Sequence, residues 1–308
     1  MKNKTLATEF ILLGFSKDHT INSILFVLFF LIYVITIIGN SLIILVIIIN
    51  PIMHTPMYFF ITKLSIIDLC NSSSAVPKML MNLLSTQRTI SLLACLTQLH
   101  FLLLIGTSEC FLLVLMAYDR CLAICLPLHY PVIMKWSMCH ILAALIWIFS
   151  LLVIIFPSLL MPVALCYPNQ INHFMCESIA VLHLSCDKNY MKELVIFLLS
   201  FITILLPFAF IITSYLCIIH AVLKIKSSGR AKAFSTCTSH VSVVAMYFGT
   251  GMVTYLGPLQ KKSSNQGKHV SIFYVIIAPL LNPLVYSLNN RDVKKALTKL
   301  LSKCFSFS

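Results

Sequence analysis

The chain has 308 residues, 59% of them hydrophobic and 10% charged, where a soluble domain carries roughly 25% charged residues. A water-soluble fold of this size cannot hide so much apolar side chain, so its solvent is the bilayer. The formal charge of +13 does not indicate nucleic acid, because no basic run alternates with aromatics. The basic residues sit in short loops, where they face lipid headgroups and hold the topology.

Residues 1–22 are mixed polar, with no separate apolar core followed by a small-residue cleavage site. No cleavable signal peptide is expected there, and the first span acts as its own insertion signal. Seven segments reach the ~20 residues that a spanning helix needs. They are about Ser23–Ile49, Met57–Leu84, Leu92–Cys125, Met138–Met161, Met191–Leu223, Phe234–Pro258 and His269–Leu288. The second is the least hydrophobic, because it carries Lys63, Asp68, Asn71, Ser72 to Ser74 and Lys78. The fold class is therefore an all-α membrane protein, a single seven-transmembrane helix bundle over residues 1–308.

An odd number of spans puts the termini on opposite sides. Asn3-Lys4-Thr5 is a glycosylation acceptor, which functions only if the N-terminus is outside. Residues 1–22 are then extracellular and 289–308 form a cytoplasmic tail of a plasma-membrane protein. Lys224, Lys226, Arg230 and Lys232 share one short inner loop, as the positive-inside rule favours. In the tail, Val293, Ala296, Leu297, Leu300 and Leu301 recur at 3–4 spacing against Lys294, Lys295, Lys299 and Lys303. That predicts an amphipathic helix over Asn290–Lys303, lying on the inner membrane surface. No internal repeat supports an inverted-repeat transporter, and no His-Glu-x-x-His run supports an intramembrane enzyme.

Most of the 12 Cys lie within spans as packing residues. Cys95, Cys166, Cys176 and Cys186 fall on the predicted outer side, where pairing is expected and three connectivities are open. His173 and Cys176 also have a spacing that suits a soft metal such as copper, unless Cys176 is in a disulfide. Asp68, Glu109, Asp119 and Arg120 lie in or at the edge of the membrane, where each is costly and points to function. Two carboxylates facing one interior, Asp68 and Glu109, cannot both stay charged without a cation or protons. With Asn40 and Asn282 they predict a polar cluster. It holds either a shared cation, sodium on oxygen ligands, or a proton on one carboxyl. No other cofactor is expected.

Several motifs run through the chain in order. They are Gly39-Asn40, Met53-His54-Thr55-Pro56-Met57-Tyr58-Phe59-Phe60, Leu64-Ser65-Ile66-Ile67-Asp68 and Pro77-Lys78-Met79-Leu80. Met116-Ala117-Tyr118-Asp119-Arg120-Cys121-Leu122-Ala123-Ile124-Cys125 closes span 3, and Pro127-Leu128-His129-Tyr130 follows. Ser214-Tyr215 lies in span 5, and Lys232-Ala233-Phe234-Ser235-Thr236-Cys237-Thr238-Ser239-His240 opens span 6. Pro279-Leu280-Leu281-Asn282-Pro283-Leu284-Val285-Tyr286-Ser287-Leu288 ends span 7. Together they resemble a vertebrate odorant receptor, a branch of the rhodopsin-like G-protein-coupled receptors. Two positions depart from the family pattern. Cys121 stands where Tyr usually follows the Asp-Arg pair, and the family's Phe-Tyr-Gly in span 6 reads Tyr247-Phe248-Gly249.

The resemblance implies Cys95–Cys176 and Cys166–Cys186 bonds and a ligand pocket between spans 3, 5, 6 and 7. On span 3, Leu99, Leu102, Leu103, Gly106, Thr107 and Cys110 share one helical face. Span 5 offers Ile196, Leu199, Ser200 and Thr203; span 6 offers Phe248, Gly251, Met252 and Tyr255; span 7 offers Ile272, Phe273 and Ile276. None is charged, so the expected ligand is a small, neutral, mostly apolar volatile odorant, with one hydrogen bond from Thr107, Thr203 or Tyr255. The resemblance further implies coupling to a heterotrimeric G protein with a stimulatory, olfactory-type α subunit, which raises cyclic AMP. In it Arg120 rests near Asp119 until activation, and Tyr215, Lys232, His240 and Tyr286 line or gate the groove that receives the α-subunit helix.

Overall fold

A computed structural model of the protein describes residues 7–160, 164–186, 190–224, 227–255, 265–289 and 293–299. The first helices are α1 (His19–Ile49), α2 (Pro56–Leu84) and α3 (Leu92–Cys125). The short α4 (Tyr130–Ile133) leads into α5 (Trp136–Leu160), and the short α6 (Ser178–Leu182) follows. The fifth long element joins α7 (Tyr190–Ser200) to α8 (Leu206–Leu223) through a π-helical turn, Phe201–Leu205. The sixth is α9 (Ser227–Tyr255). The seventh joins α10 (Asn265–Ile272) to α11 (Ala278–Asn289) through a second π-helical turn, Phe273–Ile277.

These are the seven expected helices. Among the described residues, five carry an apolar stretch long enough to cross a membrane, while α2 and α9 are as long but more polar. In α2 the polarity points inward: Ser65, Asp68, Asn71 and Ser72 are all buried. α9 begins at Ser227, ahead of the expected Phe234. Hydropathy marks the apolar length, whereas a helical ladder continues into polar sequence without penalty.

Local signals set the starts. The Asp18 carboxylate accepts from the Thr20 and Ile21 amides and caps α1, and the Ser91 hydroxyl accepts from the Ala94 amide and caps α3. Pro56 occupies the first turn of α2, where no donor is lost. α3 is the axis of the bundle, packing on α2, α5, α8 and α9. Half of its apolar stretch is buried, against 17% for α5, whose side chains face outward to lipid.

Lipid is as apolar as leucine, so close packing and polar contacts between helices carry the assembly. Asn40 Nδ2 donates to the Thr36 and Pro279 carbonyls at 3.0 and 2.9 Å, joining α1 to α11. A Cβ on Gly39 would lie 3.2 Å from Pro283 Cγ, so glycine permits that close approach. Asn71 Nδ2 donates to the Tyr274 carbonyl at 3.0 Å, and Gln98 Nε2 to the Ser74 carbonyl at 2.8 Å.

One end of the bundle is closed by a lid. The Cys95–Cys176 and Cys166–Cys186 disulfides are both present. The N-terminal segment supplies β1 (Glu9–Leu12), the central strand of a small sheet. It pairs antiparallel with β2 (Thr89–Ser91) and parallel with β3 (Gln170–Ile171). Ala7, Phe10 and Leu12 are buried in this cap. The mixed composition of residues 1–22 gave no sign of it. Gly14, at φ 64°, takes the left-handed turn that ends the strap. Arg88 Nη1 then donates to the Leu13 and Ser16 carbonyls, and Lys268 Nζ to the Gly14 carbonyl. Phe15 stacks on Phe174 at 4.9 Å between centroids.

At the opposite end, residues 293–299 are helical. Val293 is buried, Ala296 and Leu297 pack on the core, and Lys294, Lys295 and Lys299 are exposed. Leu300, Leu301 and Lys303 of the expected amphipathic helix lie outside the described residues, as does Asn3.

Candidate functional site

A cavity of about 480 Å³ lies beneath the lid, between α3, α5, α7 with its π-turn, and α9. From α3 it is lined by Leu99, Leu102, Leu103, Gly106, Thr107 and Cys110, the face expected from helical spacing. Ile196, Leu199, Ser200 and Thr203 line it from the fifth element, and Phe248, Gly251 and Tyr255 from α9.

Four expected residues lie off this cavity. Met252 packs into the helical core, and Ile276 is buried in a separate cluster with Val275 and Phe174, against which Ile272 also packs. Phe273 is 49% exposed and points away. The second π-turn begins at Phe273; its wider winding shifts the inward face, so the seventh element contributes Tyr274 instead.

The wall also holds residues that spacing did not indicate. α5 supplies Val153, Ile154, Pro157 and Ser158, α3 adds His100, and the lid adds Glu177, Ser178 and Val181. α5 is apolar all round, so no periodicity distinguishes its inner face. The expectation of an uncharged wall is corrected by Glu177. Its carboxylate caps α6, accepting from the Ile179 and Ala180 amides at 3.0 and 3.1 Å and from Ser178 Oγ at 3.0 Å. The charge is therefore compensated by donors. At the floor, Tyr247 Oη donates to the Gly106 carbonyl at 2.7 Å, joining α3 to α9.

In the lid, His173 Nδ1 accepts from the Met175 amide at 3.2 Å and Nε2 faces Ser271 Oγ at 3.1 Å. Burial, helped by the nearby Lys268 ammonium, pushes its imidazole down to about 3. Both ring nitrogens are engaged and Cys176 is in a disulfide, so the two do not form the copper site considered from their spacing. Among the described residues, no group of three or more His, Cys, Asp or Glu side chains is arranged to hold a metal ion.

Deeper in the bundle, Asn282 Nδ2 donates to both Asp68 oxygens at 3.0 Å. Glu109 lies within electrostatic reach of Asp68, and neither of its oxygens has a partner. Asn40 Oδ1, Asn282 Oδ1 and Ser108 Oγ are likewise buried without partners. Asn40 is tied by its amide nitrogen to backbone carbonyls, which leaves this oxygen as its contribution.

At the end away from the lid, Asp119 is buried and Tyr130 Oη donates to its Oδ1 at 2.8 Å. Arg120 lies within electrostatic reach of Asp119 and lines the same crevice, while Tyr130 makes the direct hydrogen bond to the carboxylate. Arg120 Nη2, His240 Nε2 and Tyr286 Oη are buried without partners. With Asp119, Met57, Phe60 and Met116 they line one small crevice. Tyr215 Oη and His240 Nδ1 are 2.7 Å apart, linking α8 to α9. The Lys232 side chain lies outside the described residues. Cys121 Sγ lies 3.9 Å from Cys125 Sγ.

A family model described as olfactory receptor matches residues 29–304. Olfactory receptor 2A7 of Mus musculus is 43% identical over 301 residues, covering 97% of each chain. Olfactory receptor 2A5 of Homo sapiens is 44% identical over 305 residues and 98% of each chain. Olfactory receptor 2B6 of Mus musculus is 45% identical over 305 residues, 98% of this chain and 97% of its own. Odorant binding and G-protein coupling are general to this family, and it is a family of receptors and not of enzymes. With its apolar helix bundle, lid disulfides and enclosed cavity, the chain belongs to the olfactory receptor family and is a multi-pass membrane receptor.

Proposed function

We propose that this receptor binds a small, neutral, mostly apolar odorant in the cavity under the lid and activates a stimulatory, olfactory-type G protein that raises cyclic AMP. The observation that carries the ligand class is the cavity wall. It is led by Leu, Ile and Val, the rest being uncharged apart from His100 and one carboxylate, Glu177, which is already bound by donors. An ionised ligand would enter without a free counter-charge and lose several kcal/mol of solvation. In this reading the N-terminus and lid are extracellular, the tail is cytoplasmic, and Asn3 carries glycan.

Signalling requires that the ligand favour one of two helix arrangements. The unpartnered Arg120 Nη2, His240 Nε2 and Tyr286 Oη atoms and the single Tyr215–His240 contact are what the rearrangement changes. A groove among α3, α8 and α9 then takes the C-terminal helix of the G-protein α subunit. The Asp68 and Glu109 carboxylates, with oxygens of Asn40 and Asn282, fit a sodium ion in chemistry. That ion balances charge which otherwise requires protons. Sodium held there makes agonist potency depend on sodium concentration, and Glu109→Gln removes the dependence. An unchanged dependence contradicts the ion and favours a protonated carboxyl.

A cyclic-AMP screen over neutral volatiles tests the main reading, with Arg120→Ala as control. The mutant is expected at the cell surface and silent. Activation only by ionised ligands, or a normal response in Arg120→Ala, refutes it.

A further inference from the structure

The cavity's polar groups have an uneven hydrogen-bond balance. Ser200 Oγ donates to the Ile196 carbonyl and Thr203 Oγ1 to the Leu199 carbonyl, both at 2.8 Å. Ser158 Oγ donates to the Ile154 carbonyl at 2.8 Å, and Thr250 Oγ1 to the Met246 and Tyr247 carbonyls at 2.9 Å. Tyr247 and Tyr274 donate to the Gly106 carbonyl and to Ser271 Oγ. Each of these protons is committed inside the protein. A hydroxyl so committed keeps its lone pairs as acceptors.

His100 adds to the same sign. Its Nδ1 lies 2.7 Å from the Leu96 carbonyl, which can only accept, so the proton of the neutral ring sits on Nδ1. Nε2 faces Ser158 Oγ at 3.0 Å, so the single Ser158 proton is shared between Nε2 and the Ile154 carbonyl, and neither group offers a free donor. Glu177 can only accept as well. Thr107 is a cavity hydroxyl with no side-chain bond among the described residues, Tyr255 Oη lies against Glu177 and Ser178, and Asn71 Nδ2 donates to the Tyr274 carbonyl. The wall thus presents mostly lone pairs with few free protons.

We infer that the cavity selects ligands bearing a hydroxyl donor, alcohols or phenols, over ketones, aldehydes, esters and ethers of the same skeleton. The inference rests on the neutral-ligand reading above and narrows it. An O–H meets Ser200 or Thr203 oxygen without disturbing the helix. A ligand with only an acceptor must pull a hydroxyl proton off its backbone carbonyl, or enter with its oxygen unpaired. The lost hydrogen bond and the unpaired oxygen together make the alcohol about tenfold more potent, about 1.4 kcal/mol.

The test uses full-length receptor in cells and matched sets of volatiles. One set is 1-octanol, octanal and heptyl methyl ether; another is 2-phenylethanol, phenylacetaldehyde and benzyl methyl ether. In whichever sets activate, the alcohol is expected to have about a tenfold lower EC50. Ser200→Ala with Thr203→Val is expected to shrink that ratio toward one. The ratio is read within one receptor variant, so altered surface expression does not move it; Ser200→Cys, which keeps a weak polar atom, is the milder control. Equal or better potency of the aldehyde or ether overturns the inference and leaves the neutral-ligand reading standing. A wild-type ratio in the double mutant overturns the assignment to Ser200 and Thr203. Silence toward every neutral member overturns both readings.

Discussion

The two ends of the helix bundle are built in opposite ways. The lid end is cross-linked by two disulfides, a three-stranded sheet, and side-chain donors from Arg88 and Lys268 to the carbonyls of residues 13, 14 and 16. Its buried histidine uses both ring nitrogens. The Asp119 end has no disulfide among the described residues, and three buried polar atoms in one crevice have no partner. A satisfied network resists rearrangement, whereas an unsatisfied one gains new bonds when it moves. Rigidity sits at the lid end and unsatisfied polar atoms at the Asp119 end. In the proposed mechanism the preorganised lid end lowers the ordering cost of binding, and the other end supplies the second arrangement.

The largest effect comes from breaking the rigid end. Cys95→Ser opens the bond that ties the lid to α3, with a sequence separation of 81 residues. Removing such a bond costs about 2–5 kcal/mol. Loss of most folded receptor from the surface is expected, measured by flow cytometry on an N-terminal tag. A surface level equal to wild type would show that the sheet alone suffices.

A smaller effect follows from acid. The His173 imidazole is held at about 3, against an ordinary value of 6.5. Between those values the unfolded chain binds a proton that the folded lid does not. Its contribution to stability is therefore complete above pH 6.5 and declines as pH falls toward 3. Hydrogen exchange at residues 171–176 is expected to accelerate as pH drops through this window, after correction for the intrinsic rate. His173→Gln is expected to flatten the trend. The same acceleration in the mutant assigns the effect elsewhere.

The smallest effect belongs to the loose end. Tyr215→Phe deletes one contact to His240, worth about 1 kcal/mol, or about fivefold in a two-state ratio. Basal cyclic AMP is expected to rise by up to that factor, with surface level unchanged. A fall in basal signal would mean that the pair supports the active arrangement.

Much of this contrast was legible before the structure. Most of the seven helices followed from apolar length, the second only with the help of its motifs Met57–Phe60 and Asp68, and α3's inner face followed from Leu99, Leu102, Leu103, Gly106, Thr107 and Cys110 at helical spacing. What stayed hidden had physical reasons. A π-turn at Phe273 breaks the 3.6-residue period, so Phe273 and Ile276 were placed on the wrong face. α5 is apolar on every side, so Ser158 and Pro157 gave no directional signal. β1 is four residues long and pairs only with distant segments, β2 and β3, which local pattern cannot reveal. Glu177 reached the cavity through the fold of the lid, and not through any helical repeat. Tyr130's bond to Asp119 depends on the tertiary placement of α4, which no local pattern reveals.

In the proposed mechanism a neutral ligand under the lid is converted into G-protein activation through Arg120. The direct measurement is ligand-stimulated nucleotide exchange on a purified stimulatory G protein, with the receptor in nanodiscs. A neutral volatile that activates in cells is expected to raise exchange severalfold in wild type. Arg120→Ala is expected to bind the same volatile with exchange at the ligand-free level. Exchange in Arg120→Ala equal to wild type, or no neutral volatile that stimulates wild type, would contradict the account.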